Sequence, residues 1–189
     1  MPGSFCAFLG ASVLYPVSLR NLLMRLTLGG LFQARWSAHV HEEWIRAVRR
    51  DHPGLPAERL YQLRDAMDRH AEDSLVTGYE SLIEALSLPD PDDRHVLAAA
   101  IVGRADIIVT HNLRHFPTEA LDPYDIEVQH PDAFVRHLVD LAPVVVVDAV
   151  RDQRSRLTNP PVAMSELLAL FERLGLVDTV VELRRLMGA

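Results

Sequence analysis

The feature that most limits how this chain can fold is an apolar helix followed by a short apolar strand, with polar residues at both junctions. It lies between Leu88 and Pro117. Apolar residues recur at helical spacing over 96–101, and Gly103 is placed to end the helix. Residues 107–109 (Ile-Ile-Val) then predict a strand that is buried on both faces, as in parallel sheets. A helix that leads into such a strand indicates an α/β fold.

Carboxylates and an amide lie at the two ends of this unit. Asp90, Asp92 and Asp93 precede the helix, and Asp93 is predicted to be its N-cap, with a side-chain oxygen that accepts backbone N–H groups. Asn112 follows the strand, at the carboxyl end where open α/β sheets keep their ligand sites. A purely structural interpretation is also open, because acidic residues are common at helix N-termini.

The first half of the chain alternates strands and helices in the same way. Residues 5–9 predict a central strand, and a helix follows that begins after Pro16 and ends at Gly29-Gly30. Ser37 is predicted to cap a second helix over 38–50. The elements predicted next are a helix over 57–72, a short strand at 75–76 and a short helix over 79–86.

The second half ends in a helical region. We expect a loop over 118–125, an edge strand over 126–128 and a helix from Pro131 to about residue 141. The chain changes character at Pro143, where three further helices are predicted near 144–157, 164–174 and 176–187. The predicted division is therefore one α/β domain over 1–141 and a helical extension over 142–189, whose apolar stripes suit docking on the domain or on a partner.

Composition narrows the function classes. The 189 residues have room for one domain with an appended element, and no apolar run approaches the ~18 residues that span a membrane. Cys6 is the only cysteine and we find no signal peptide, so we expect a cytoplasmic protein without disulfides. The net charge of −7 argues against a general nucleic-acid coat. There is no glycine-rich dinucleotide or P-loop motif.

Acidic residues are thus predicted at the ends of separate elements. Glu42 or Glu43 would join the aspartates near Asp93, and their oxygens are hard ligands that suit Mg²⁺ or Mn²⁺. Such ions support phosphodiester hydrolysis. His39 and His41 are two residues apart on a predicted helix, so they point to different faces and form a poor zinc pair.

Four segments carry a resemblance to a known family: FLGASVLYP, WSAHVHEEWIRAV, DPDDRHVLAAAIVGRADIIVTHNLRHFP and IEVQHPDAFV. In this order and spacing they resemble a PIN domain, and more closely its VapC-like branch of bacterial toxins, over about residues 5–136. The helical tail resembles an extension carried by one VapC-like subgroup. The resemblance implies a three-layer α/β/α sandwich around a mostly parallel sheet, with a C-terminal helical extension.

The resemblance also implies an activity. PIN domains are Mg²⁺- or Mn²⁺-dependent ribonucleases, and VapC toxins typically cut tRNA or ribosomal RNA until a cognate antitoxin blocks them. A homodimer or a toxin–antitoxin complex is expected. The family's second and third acidic residues fall on Glu43 and Asp93, and its fourth position is Asn112. Asp90 is either a supporting ligand or a turn former, and Ser12 matches a small hydroxyl residue after the first strand.

The chain departs from the family at Gly10, where the family places its first aspartate and metal ligand. The absence of this aspartate should weaken metal binding, so we expect an inactive or impaired nuclease. Gly10 is either a detoxifying substitution, selected or engineered, or natural degeneration. A non-catalytic PIN-fold module that holds an antitoxin is the alternative function. A haloacid-dehalogenase-like phosphatase is not supported, because residues 10–12 contain no aspartate pair.

Several residues near the presumed cleft have no assigned role at this stage. His95, His111 and His115 are interpreted as surface or helix-capping groups, with His115 a candidate contact to RNA phosphate. Trp36 and Trp44 are interpreted as core residues rather than platforms for bases.

Overall fold

The computed structural model describes residues 5–71 and 73–188, and within them five parallel strands form one sheet. The strands are β1 (Cys6–Leu9), β2 (Gln33–Ser37), β3 (Leu75–Val76), β4 (Ile107–Val109) and β5 (Glu127–Gln129). Their order across the sheet is β3-β2-β1-β4-β5.

Ten α-helices are described around this sheet. They are α1 (Ala11–Leu14), α2 (Val17–Leu28), α3 (Ala38–Asp51), α4 (Ala57–His70), α5 (Arg94–Val102), α6 (Thr118–Leu121), α7 (Pro131–Leu141), α8 (Pro143–Ser155), α9 (Met164–Arg173) and α10 (Val177–Met187). Short 3₁₀ turns span Glu80–Ala85, Pro91–Asp93, Leu113–His115 and Asp122–Tyr124. Within the described ranges, no helix combines the length and apolar composition needed to cross a membrane.

The strand order explains the layers. The chain moves outward from β1 to β2 and β3, and then returns to β4 and β5 on the other side of β1. Because such crossovers are right-handed, the two directions place their helices on opposite faces of the sheet. Helix α5 packs against β1, β2 and β4. The predicted three-layer α/β/α sandwich is confirmed, and the described sheet is parallel throughout.

The core lies on both faces of the central strands. All four residues of β1 are buried, and Ile108 and Val109 of β4 have no exposed surface. Trp36 and Trp44 are also fully buried, which confirms them as core residues. Ser37 accepts a hydrogen bond from the backbone N–H of Val40 at 3.3 Å, so the predicted cap of α3 is confirmed.

Strand β2 is not predicted from the sequence, in which Trp36 only precedes the predicted helix over 38–50. The strand has the burial pattern of alternating faces, with Gln33 exposed and Ala34 and Trp36 buried. Polar residues fill three of its five positions, so the alternation is too short to stand out. Burial between β1 and β3 decides its conformation, not its own propensity.

Other differences concern boundaries. The predicted loop over 118–125 contains α6, because Leu121 is buried, and a 3₁₀ turn. The predicted helix over 79–86 is a 3₁₀ segment, and the edge strand lies one residue further along the chain. Helix α4 ends at His70, and its predicted end, Glu72, is outside the described residues.

The helical extension packs on the end of the α/β domain. Helix α10 packs along α7, and the Asp132 carboxylate of α7 accepts the backbone N–H groups of Asp178 and Thr179, each at 2.9 Å. The Thr179 hydroxyl donates back to the Asp132 carbonyl at 3.1 Å. One side chain thus satisfies two donors in the first turn of another helix. The predicted division at 141/142 stays a prediction.

Replacing Asp132 should destabilise the protein. In Asp132→Ala the two N–H groups lose their acceptor, and we expect the free energy of unfolding to fall by about 1–2 kcal/mol, the range for a lost helix cap. Chemical denaturation measures the change. Asp140→Ala is the matched control, because this exposed carboxylate on the same helix pairs only with Arg136 four residues earlier. The control should lose at most about 0.5 kcal/mol, and equal losses would contradict the capping role.

Candidate active site

The carboxyl ends of β1 and β4 meet at one edge of the sheet. Leu9 pairs with Val109, so Gly10 and Thr110 emerge side by side. The chain leaves β1 toward one side of the sheet and leaves β4 toward the other, which opens a crevice between the two connections. A cavity of about 250 Å³ lies in this position.

Distant parts of the chain meet in this cavity. Its lining includes Gly10, Ser12, Glu43, Asp93, Thr110 and Asn112. The cavity therefore contains three of the four site residues predicted from the sequence. It also contains Gly10, where the chain departs from the family. Asp90, the fourth, is not part of the lining among the described residues.

Glu43 is directed into the site by α3. Its carboxylate accepts a hydrogen bond from His95 Nε2, with Oε1 and Nε2 2.7 Å apart, whereas the neighbouring Glu42 is exposed. His95 lies on α5 and is 8% exposed. Its Nδ1 is buried and has no hydrogen-bond partner within the described part of the chain. Of the two glutamates that the sequence left open, only Glu43 reaches the cavity.

Asp93 is held by a second histidine. Its Oδ2 lies 2.6 Å from His115 Nδ1, in the 3₁₀ turn after β4. Burial raises the pKa of Asp93 above its ordinary value; the hydrogen bond from His115 opposes this, and the charges of Asp90 and Glu43 add to it. The predicted N-cap role of the Asp93 side chain is wrong, because its carboxylate makes no capping bond and binds His115 instead.

Asp90 joins the site through the same histidine. Its Oδ2 is 3.7 Å from His115 Nδ1, and Asp90, Asp93 and His115 offer three ligand atoms within 4.8 Å of one another. Asp90 also accepts the backbone N–H of Asp92 at 3.0 Å. Both interpretations of Asp90 thus have a structural basis: it shapes the turn before α5 and it stands in a group that could hold a metal ion.

Hydroxyl groups order the loop after β4. Ser12 Oγ accepts the backbone N–H of His111 at 3.1 Å and lies 3.2 Å from Thr110 Oγ1. Thr110 Oγ1 in turn accepts the backbone N–H of Asn112, also at 3.1 Å. Ser12 therefore joins the end of β1 to the loop that carries Asn112.

Position 10 has room for a side chain. The backbone of Gly10 is extended, with φ −74° and ψ 164°, which any residue can adopt. A Cβ atom there would lie 3.4 Å from the carbonyl oxygen of Val109 and 3.7 Å from Thr110 Cβ, which are ordinary contacts. Glycine is therefore not required by the fold at this position.

The donors fit a hard divalent cation. Carboxylates from Glu43, Asp93 and Asp90 supply anionic oxygens, which suit Mg²⁺ and Mn²⁺. The close group of Asp90, Asp93 and His115 is the observation that supports the fit, because the two carboxylates supply oxygens and His115 orients Asp93 through its Nδ1–H. A bound cation would also favour the charged form of Asp93, whose pKa is raised by burial and, to a smaller extent, by the charges of Asp90 and Glu43.

Sequence reasoning did not assign the roles of His95 and His115. Each donates a hydrogen bond to one of the acidic residues in the pocket. The contacts join residues 52 and 22 positions apart, so no local periodicity could have revealed them. Only the enrichment of histidine near the predicted site pointed toward such a role.

Comparisons with known proteins agree with this geometry. A family model described as a PIN domain matches residues 7–114, more than half of the 189-residue chain. The chain belongs to the PIN-domain family. A second model, described as the VapC50 C-terminal domain, matches residues 131–185, which contain α7, α8, α9 and most of α10 of this PIN protein.

One curated relative is named "Putative ribonuclease VapC50" and comes from Mycobacterium tuberculosis strain H37Rv. This PIN protein is 42% identical to it over 91 residues, which are 48% of this chain and 53% of the relative. The match thus spans about half the length of that relative. No solved structure gives a significant match to the chain.

The raised pKa of Asp93 predicts that removing its charge increases the free energy of unfolding, by an amount that depends on pH. The folded chain holds this proton more tightly than the unfolded chain, so the free energy of unfolding falls as pH rises from the ordinary value of 3.8 through the raised pKa. Asp93→Asn cannot ionise, yet it keeps an oxygen that accepts from His115. We expect the variant to be more stable than its parent at neutral pH and to lose this advantage as pH falls toward 3.8.

Urea denaturation at several pH values, in buffer that contains a chelator, measures the difference. Asp92→Asn is the control, because this neighbouring carboxylate is exposed. A constant difference between Asp93→Asn and its parent at all pH values would contradict the prediction.

Proposed function

We propose that the chain is a VapC-like, metal-dependent endoribonuclease whose present form is inactive or impaired because glycine occupies position 10. The observation that carries the proposal is the meeting of Glu43, Asp93 and Asn112 in one cavity, beside an open space at Gly10. This cavity lies between β1 and β4, where a parallel sheet binds ligands. The family membership supports nuclease chemistry at this place.

The reaction adds water across a phosphodiester P–O bond of RNA. Bound Mg²⁺ or Mn²⁺ would supply a Lewis acid for the phosphate and lower the pKa of the attacking water. Glu43, Asp93 and Asp90 would hold the cation, with His95 and His115 fixing the orientation of their carboxylates. The Asn112 amide, next to the same pocket, is available to orient the phosphate or a water molecule.

Gly10 accounts for the proposed impairment. A carboxylate at this position would extend from the end of β1 into the cavity that Glu43 and Asp93 line. Without it, the cation would have acidic ligands only from the α3 and α5 sides of the pocket. Weaker and less rigid metal binding would leave any activated water poorly placed.

The proposed partners follow from the same site. The substrate is RNA, with tRNA or ribosomal RNA the expected class, and the inhibitor is a cognate antitoxin in the cytoplasm. An acidic pocket can receive an arginine side chain from such an antitoxin through charge-assisted hydrogen bonds. We propose either a homodimer or a toxin–antitoxin complex as the assembly.

Restoring the missing carboxylate tests the proposal. Gly10→Asp fits the extended backbone and the open space, so the variant should fold normally. We expect cleavage of RNA that depends on Mg²⁺ or Mn²⁺ and exceeds that of the parent by at least about 100-fold, because even indirect partners of a metal ligand contribute 10- to 100-fold. Expression of the variant should also arrest growth.

Two pairs of variants in the Gly10→Asp background serve as controls. Asp93→Ala should abolish the regained cleavage, whereas Asp92→Ala should retain it. Glu43→Ala should be far more damaging than Glu42→Ala, because only Glu43 reaches the cavity. The nuclease proposal fails if Gly10→Asp is folded but neither cleaves RNA nor slows growth.

Gly10 also favours a second candidate, a PIN-fold binding module without catalysis. In this case the pocket holds a partner through Glu43 and Asp93 but does not hydrolyse RNA. A folded Gly10→Asp variant that remains inactive, together with loss of antitoxin binding in Asp93→Ala, is the result that this candidate predicts.

A further inference from the structure

The loop after β4 is held from two sides. On one side, Ser12 bonds to the backbone of His111. On the other side, the His111 ring reaches the C-terminal extension, where Nε2 lies 3.2 Å from the carbonyl oxygen of Leu174, between α9 and α10. Because a carbonyl oxygen can only accept, this contact assigns the proton to Nε2. A residue adjacent to Asn112 is therefore attached to a segment 63 positions further along the chain.

The turn between α9 and α10 is itself closely fixed. Gly175 has a φ of +90°, and a Cβ atom there would lie 3.4 Å from His130 Cε1 and 3.9 Å from His111 Nε2. The rings of His111 and His130 meet edge to face with their centroids 5.0 Å apart. The Asp132 carboxylate then binds the first turn of α10, just beyond this glycine. The turn thus offers a defined position against which the His111 ring rests.

We propose that the α9–α10 turn positions the β4 loop for catalysis, with His111 as the positioning residue. The inference rests on the proposed nuclease function for its catalytic meaning. His111 does not line the cavity among the described residues, so it acts through the loop that carries Thr110 and Asn112. Groups in an active site work only when surrounding contacts hold them in place, and here part of that support comes from the extension.

Amide hydrogen exchange in the chain as it stands is the first test. The backbone N–H groups of residues 110, 111 and 112 are all hydrogen-bonded, so their exchange reports the opening of this loop. In His111→Ala we expect these amides to exchange about three- to tenfold faster, the factor for one lost hydrogen bond. The Trp36 amide, bonded to the Ser74 carbonyl on the opposite side of β1, should not change.

Three further variants separate positioning from general stability. His111→Gln keeps a donor at nearly the place of Nε2 and should restore slow exchange. Gly175→Ala leaves every residue of the loop unchanged in sequence but alters the turn, and it should resemble His111→Ala, because alanine is strained at this φ. His70→Ala is the matched control, since this ring also contacts a backbone carbonyl, that of Ala66, but on α4. It should leave residues 110–112 unchanged.

Mn²⁺ binding in the Gly10→Asp background is the second test. Titration calorimetry should show affinity about three- to tenfold weaker in His111→Ala and Gly175→Ala, and near the parent value in His111→Gln and His70→Ala.

Unchanged exchange at residues 110–112 in both His111→Ala and Gly175→Ala overturns the positioning role, as does an equal acceleration at Trp36. A Gly10→Asp chain without Mn²⁺ binding or RNA cleavage would instead overturn the nuclease proposal, and the exchange comparison would still decide the positioning of the loop.

Discussion

The parallel pairing of β1 with β4 determines where this chain can place its polar groups. Leu9 and Val109 are 100 residues apart, yet they pair side by side in the buried centre of the sheet. Burial of both apolar strands offsets the entropy lost in closing so long a loop. This pairing places the next residues of the two strands, Gly10 and Thr110, side by side at the edge of the sheet. The cavity, the Ser12 contact and the approach of Glu43 and Asp93 all follow from this one register.

The burial of a carboxylate in this site opposes its ionisation. Burial, with the nearby charges of Asp90 and Glu43, raises the pKa of Asp93. His115 reduces this opposition by donating a hydrogen bond to Asp93, and His95 donates one to Glu43. A carboxylate whose pKa is shifted in this way within a cavity is typical of functional sites.

Much of this arrangement could be predicted from the sequence, for definite reasons. The apolar runs at 5–9 and 107–109 identified the two central strands, and the quoted motifs selected Glu43 over Glu42. Strand β2 was missed because polar residues interrupt its short alternation, and its partners decide its conformation. The histidine contacts were missed because they arise only when distant elements meet, and the Asp93 side chain took such a contact in place of a local cap.

The contact between His111 and Leu174 joins the loop after β4 to a turn 63 residues further along the chain. A ribosome synthesises the chain from its N-terminus, so all the acidic residues of the pocket emerge well before α10 does. If the turn before α10 completes the β4 loop, a nascent chain carries an unfinished pocket until residues 174–176 have left the ribosome. The order of synthesis would then by itself set the moment at which the pocket is completed.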